Sequence, residues 1–358
     1  MTHPLYKIRR RHALQLLAGA SGAALLHACQ PSTEAPADSA ATDSEATEET
    51  AAIETTMSMS MGTAPWVGQV PLYIAMEKGF FAEQGLDFEL RNFGTSGDYL
   101  SAFLSGNLDS VSLVSSEAVT LADGGKDFKI VLIQDNSVGG DGILAKDSIT
   151  SVEDFKGKKI AADTSGVSYF FLLQVLKEAG LSKDDVTIVN TEPSAAAAAF
   201  QSNSVDIAVT YAPYLQEAAA AVEDGGIIYD SSKMPTAIID MYLFDAAYVE
   251  ENPEAVQAFV NGIFMGLDFL STNEEEALEI GAAALDVEPA DVAGDLEGVK
   301  LPDKATNIEM MTEPDSDLYV GEPLNELAAF LLEEGQIESE VPDLSTTFDP
   351  QFVEAAST

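Results

Sequence analysis

The chain has 358 residues, with 17 Lys plus Arg against 60 Asp plus Glu and a formal charge of −43. That balance excludes nucleic acid as a partner, since binding a phosphate backbone rests on clustered basic side chains. All three histidines, His3, His12 and His27, lie ahead of the single cysteine, Cys29, which removes Ser–His and Cys–His nucleophile pairs and most metal-site chemistry from everything downstream.

In chain order, Lys7, Arg9, Arg10 and Arg11 form a basic front to an apolar run from Ala13 to Leu26. The run is shorter than the ~20 apolar residues of a permanent membrane span. It ends in LLHACQ, which predicts a signal peptide over 1–28, cleaved after Ala28, with lipidation of Cys29 as the new N-terminus. The Arg cluster also admits export by the twin-arginine route. Residues 31–56 are Ser, Thr, Ala, Pro and acids with little to bury, so 29–56 reads as a lipidated Cys on a disordered acidic tether. No second long apolar run follows. The mature chain carries 13 basic residues, of which only Arg91 is Arg, and a formal charge of −47. Acids spread over the exterior, as in halophile-type surfaces, account for most of it.

About 300 residues remain, enough for two lobes with their own cores. Apolar spacing predicts a helix over 71–81 ended by Gly85, then a strand over 86–93. A second unit follows, with a helix from Asp98 stopped at Gly106 and a strand over 109–113. FKIVLIQDNSVGGDGILAK carries two apolar strands split by a polar turn. A further unit places a strand over 159–162, a turn over 163–167 and a helix over 168–179. Strands over 186–190 and 206–210 flank a helix through AAAAAFQSN, and helical patterns dominate from Pro253 onward. Alternating strands and helices with short connections point to parallel sheets of the α/β class.

The stretches PWVGQVPLYIAMEKGFFAEQGLDFEL, DNSVGGDGILAKDSITSVEDFKGKKIAADTSGVSYFFLLQVLKEAGLS and FQSNSVDIAVTYAPYLQEA, followed by IIDMYLF, resemble the type II periplasmic binding proteins of the SsuA/THI5-like family. The similarity covers 57–335. The resemblance implies an ABC-importer solute receptor of nitrate, sulfonate, taurine or pyrimidine-precursor type, with no cofactor and no catalytic residues. It implies a periplasmic or cell-surface monomer that hands its ligand to a permease and ATPase complex. It also implies two α/β lobes joined by two crossing strands with a cleft between. The lobes are placed at 57–136, 137–242 and a helical return over 243–335, with a C-terminal tail over 336–358. The first crossing falls near 135–140 and the return near 240–244. A pyrimidine-forming enzyme in this fold family relies on its own His and a Cys-rich motif, and neither is present.

Ligands of open α/β sheets sit beyond the carboxyl ends of the strands. The candidates are therefore Trp66 and Gln69 after the first strand, and Ser115 and Glu117 after the third. Thr95, Ser96 and Asp98 read as the cap of a helix. Gly166, Val167 and Ser168 open a helix whose N-terminus favours an anion. In VTYAPYL, Tyr211 and Tyr214 match an aromatic run of the family, while Ala212 stands where relatives often carry an acid. Asp135 and Asp240 sit at the crossings; Asp141, beside them, reads as a turn cap. One Arg offers little for a buried anion, whereas the acids and aromatics suit a guanidinium or amine. Taurine, carrying both charges, satisfies both sets. The same fold also admits a sensor module or a catalytic descendant.

Overall fold

The computed structural model describes residues 57–234 and 237–357; the signal segment, Cys29 and the tether lie outside the described residues. The strands in chain order are β1 (Met57–Thr63), β2 (Leu86–Asn92), β3 (Ser110–Val114), β4 (Phe128–Ser137), β5 (Asp141–Lys146) and β6 (Lys159–Ala162). They continue as β7 (Thr187–Asn190), β8 (Ile207–Tyr211), β9 (Gly225–Asp230), β10 (Ile239–Asp245) and the short β11 (Val299–Lys300). One sheet has the order β11-β4-β10-β3-β1-β2 and the other β7-β6-β8-β5-β9.

Pairing is parallel where a helix returns the chain, as in β1 with β2 and β3, and β6 with β7 and β8. It is antiparallel where the chain passes between sheets, as in β10 with β3 and β4, and β5 with β8 and β9. The sheets are thus mixed, not purely parallel. A strand that arrives from the other sheet needs no crossover helix and so enters in either sense.

The passage over 138–140 lies beside the two described ends of the return passage, at Ser231 and Ile238. Ser137 Oγ lies 2.8 Å from Ser231 Oγ, Gly139 N–H donates to Ser231 Oγ at 2.7 Å, and Ser137 N–H donates to the Ile238 carbonyl at 3.1 Å. The expected return at 240–244 is corrected: those residues lie inside β10, paired on both edges. Their apolar composition belongs to a central strand, not a linker.

The expected helix over 71–81 is two helices, Val70–Glu77 and Phe80–Glu83. Gly79, at φ 75°, breaks them in a conformation that costs other residues strain. The helix Ser96–Leu104 starts two residues earlier than expected, capped by Thr95, which accepts from Asp98 N–H. The helix Pro253–Thr272 is long and apolar enough to cross a membrane by length and composition. Its apolar face instead packs on the first lobe, where Phe81 stacks on Phe259 at 5.5 Å. Residues 336–357 are likewise no free tail. Phe348 bridges to Ile130 of β4, and Leu344, Phe352 and Val353 are buried in the first lobe.

Candidate functional site

In the first sheet β1 and β3 end and β10 begins at the cleft, facing the start of β5 and the end of β8 from the second. Between them a cavity of about 40 Å³ remains, room for only a few atoms when a single water needs ~10–15 Å³. Trp66, in the loop after β1, and Tyr211, at the end of β8, meet edge to face at 5.9 Å across the lobes. Tyr214 tilts onto Tyr211 at 6.0 Å and lies outside the cavity wall.

Three carboxyls line the cavity: Glu117, Asp141 and Asp240. Glu117 is fixed by the helix Ser115–Asp123, where its Oε2 accepts from Tyr99 O–H and, at 3.2 Å, from Val114 N–H. Burial pushes its carboxyl up to about 7, against the hydrogen bonds that favour the charge. Asp141 is pushed up to about 7 by the same cause, with the charges of Asp135 and Glu117 adding to it. Asp240 keeps partial exposure because it faces the cavity.

Asp135 lies directly behind. It is Asp240's cross-strand partner in the β10–β4 register and is wholly buried. Its Oδ2 accepts from Trp66 Nε1–H at 2.8 Å and Gln134 Nε2 at 3.0 Å. Its Oδ1 has no ordinary donor. Burial raises both carboxyls, Asp240 the further, and the charge of Asp135 adds to the rise at Asp240. No Lys or Arg lines the cavity, and none of the ion pairs among the described residues touches these four acids.

Several expectations change. Asp135 supports the site from beneath and does not line it. Ser115 faces a separate crevice on the far side of β10, its Oγ donating to the Ala237 carbonyl at 3.3 Å. Gln69 lines the cavity, but its amide is committed: Nε2 donates to Thr63 Oγ1, Ala64 O and Ser112 Oγ, and Oε1 accepts from Tyr73 O–H. Asp141, read as a turn cap, faces the cavity instead. Its place immediately after a Gly-Gly pair at a crossing was the available signal. Ser96 and Tyr99 also reach the cavity; as helix-start residues they carry no mark of it in the sequence.

The turn 163–168 closes the cleft from the second lobe. Gly97 N–H donates to Ser165 Oγ at 3.1 Å across the gap. A Cβ on Gly166 would lie 2.2 Å from Ser96 Oγ and 2.8 Å from Glu117 Oε1, so only glycine allows this approach. Val167 lines the cavity, while the buried Ser168 Oγ has no partner. The helix N-terminus here already faces Glu117, and Asp163 stands in the turn before it, its Oδ1 accepting from Ser165 N–H at 2.9 Å. The negative charge it favours is supplied by the protein itself.

The profile of the family described as NMT1/THI5-like matches residues 66–277, which hold most of the cleft. The chain belongs to that family. A putative binding protein of Brucella abortus is 32% identical over 61% of this chain and 68% of its own length. The taurine-binding periplasmic protein of Escherichia coli is 26% identical over 79% of this chain and 89% of its own. Among solved structures, the alkanesulfonate-binding protein SsuA of Xanthomonas axonopodis pv. citri, bound to MOPS, superposes at TM-score 0.68. It covers 82% of this chain and 98% of its own at 17% identity. The desulfurization enzyme DSZB shares the fold at TM-score 0.60 and 17% identity, so the fold alone does not choose between binding and catalysis.

Proposed function

We propose that this protein is the exported solute receptor of an ABC importer, lipid-anchored at Cys29, and that it closes on a small solute bearing a cationic nitrogen. The observation that carries the reading is the group of three buried acids, Glu117, Asp135 and Asp141, with the half-buried Asp240 beside them and no basic side chain at the cavity. Buried carboxylates are costly unless compensated, and the missing compensation is a ligand's positive charge. Trp66 and Tyr211 supply aromatic surface beside it, which suits a guanidinium or an amine. The two passages between the sheets provide the hinge, and the mature monomer presents its closed form to a permease and ATPase complex.

A zwitterion such as taurine is the second reading. The unpartnered Ser168 Oγ at a helix start favours it, as does the likeness to a taurine-binding protein. A sensor role is separated from transport by whether permease and ATPase genes adjoin. Catalysis has little to draw on, because residues 57–358 contain no His and no Cys.

A thermal-shift screen of the mature chain against guanidinium, methylammonium, choline, urea, taurine, alkanesulfonates, nitrate and bicarbonate tests the proposal. A ligand at a hundredfold its Kd adds about 2.7 kcal/mol. Shifts with guanidinium or methylammonium are expected. Shifts confined to sulfonates or nitrate would overturn the cationic reading.

A further inference from the structure

We propose that the Asp135–Asp240 pair is a proton-exchange subsite, at which an incoming cation takes the place of a proton that the uncompensated pair retains. The inference rests on the solute-receptor reading above and adds the means by which the site sets capture and release.

The geometry is specific. Asp135 and Asp240 are register partners on adjacent antiparallel strands, so their side chains leave the same face of the sheet. Asp135 is tied on one side only. Both of its conventional donors, Trp66 Nε1–H and Gln134 Nε2, meet Oδ2, and Oδ1 receives neither. This polarises the pair. The donors favour the negative charge on Asp135, so the proton the pair retains belongs to Asp240, the member that faces the cavity. Two carboxyls paired across adjacent strands, one of them wholly buried, do not both ionise without a compensating cation.

No neighbouring group supplies one. The charges that face the pair come from Glu117 on the helix after β3 and Asp141 on β5. The other titratable neighbours are tyrosines: Tyr242 of β10, which feels both carboxyls, and Tyr211 of β8, which lines the cavity with Asp240. Every ionised neighbour is therefore an acid, and each strengthens the hold on the retained proton.

A cation entering the cavity reverses that balance. It brings N–H donors and positive charge against Asp240, whose carboxyl then ionises, and the proton leaves to solvent. The exchange is balanced in charge: one positive ligand enters and one proton departs. Affinity consequently rises with pH, and a local fall in pH at the membrane surface favours release. An uncharged or anionic solute gains nothing from the exchange, so the pair also selects against the sulfonate and nitrate class.

Calorimetric titration of the mature protein with guanidinium chloride at pH 7, in buffers of different ionisation enthalpy, counts the protons released. The wild type is expected to release about one proton more per ligand than Asp240→Asn, which retains the fold and binds at least tenfold more weakly. Asp135→Asn, which removes the anchor, is expected to lose the same proton while keeping Asp240 in the cavity. Equal proton counts in wild type and both variants, with binding intact, overturn the exchange and leave the receptor reading standing. Absence of binding by guanidinium and methylammonium in the wild type overturns the cationic reading, and the exchange with it.

Discussion

Trp66 Nε1–H donates to Asp135 Oδ2 at 2.8 Å, which ties the loop after β1 to the strand that carries the chain into the second lobe. The packing around that bond leaves no slack: a Cβ on Gly68 would lie 1.9 Å from the same oxygen and 2.4 Å from the indole nitrogen. Trp66→Phe keeps an aromatic wall but removes the donor, leaving a buried carboxyl with Gln134 alone on that side. Such a loss costs about 1–3 kcal/mol, to be read from urea unfolding midpoints. Gly68→Ala is expected to cost more, since a backbone-borne methyl meets both partners at once. If Gly68→Ala melts like wild type, the bond is not the constraint described.

Gly166 sets whether the cleft can shut. Its substitution by Ala places a methyl against Ser96 Oγ and Glu117 Oε1, two groups belonging to the opposite lobe. The clash arises only on closure, because the turn and its helix are otherwise unaffected. Gly166→Ala is therefore expected to leave the ligand-free melting temperature nearly unchanged and to weaken ligand binding at least tenfold. Small-angle scattering should show that saturating ligand compacts the wild type and not the variant. Equal compaction in both would remove Gly166 from the closing contact.

Much of this arrangement is legible in the sequence, for identifiable reasons. β6 coincides with its expected bounds, and the helix Val167–Glu178 lies one residue from its own, because Gly and polar turns bracket each apolar run. The rule that ligands sit beyond strand ends singles out Glu117, and the expected crossing singles out Asp240; both side chains line the cavity. What the sequence withheld is which way a side chain points. Asp135 and Asp141 stand a few residues apart around one crossing, and only the register of β4 with β10 and of β5 with β8 sends one behind the cavity and the other into it. Ser115 and Glu117 part for a similar reason. They are two positions apart on a helix start, so they face roughly opposite sides. The split helix at Gly79 and the docking of 336–357 depend on packing that no local pattern carries.

The ligand-free protein should lose stability as pH rises from about 5 to 8. Glu117 and Asp141 have folded-state values of about 7, well above the ~4 expected of unfolded carboxyls. Between those limits the folded state binds more protons than the unfolded one, so raising the pH favours unfolding. Exposed acids held low by hydrogen bonds, such as Asp154 and Asp343, act in the opposite sense, but only around and below pH ~4. Denaturant midpoints across pH 5 to 8 test this, and saturating cationic ligand should flatten the slope. A midpoint that climbs steadily over the same range would show that the cleft acids are not protonated in the folded protein.

Glu117→Gln separates a binding role from a structural one. The amide oxygen still accepts from Tyr99 O–H and Val114 N–H, so the helix start after β3 remains anchored. What disappears is a buried charge with no basic partner, whose burial opposes folding. At pH 8 the variant is expected to be as stable as the wild type or more so, while its affinity for guanidinium or methylammonium falls at least tenfold. Trp66, the chain's only Trp, sits in the cavity wall and gives a direct fluorescence readout of that binding. A structural Glu117 would behave in the opposite way, with stability lost and affinity retained. The sign of the two changes, measured on one variant, assigns the residue.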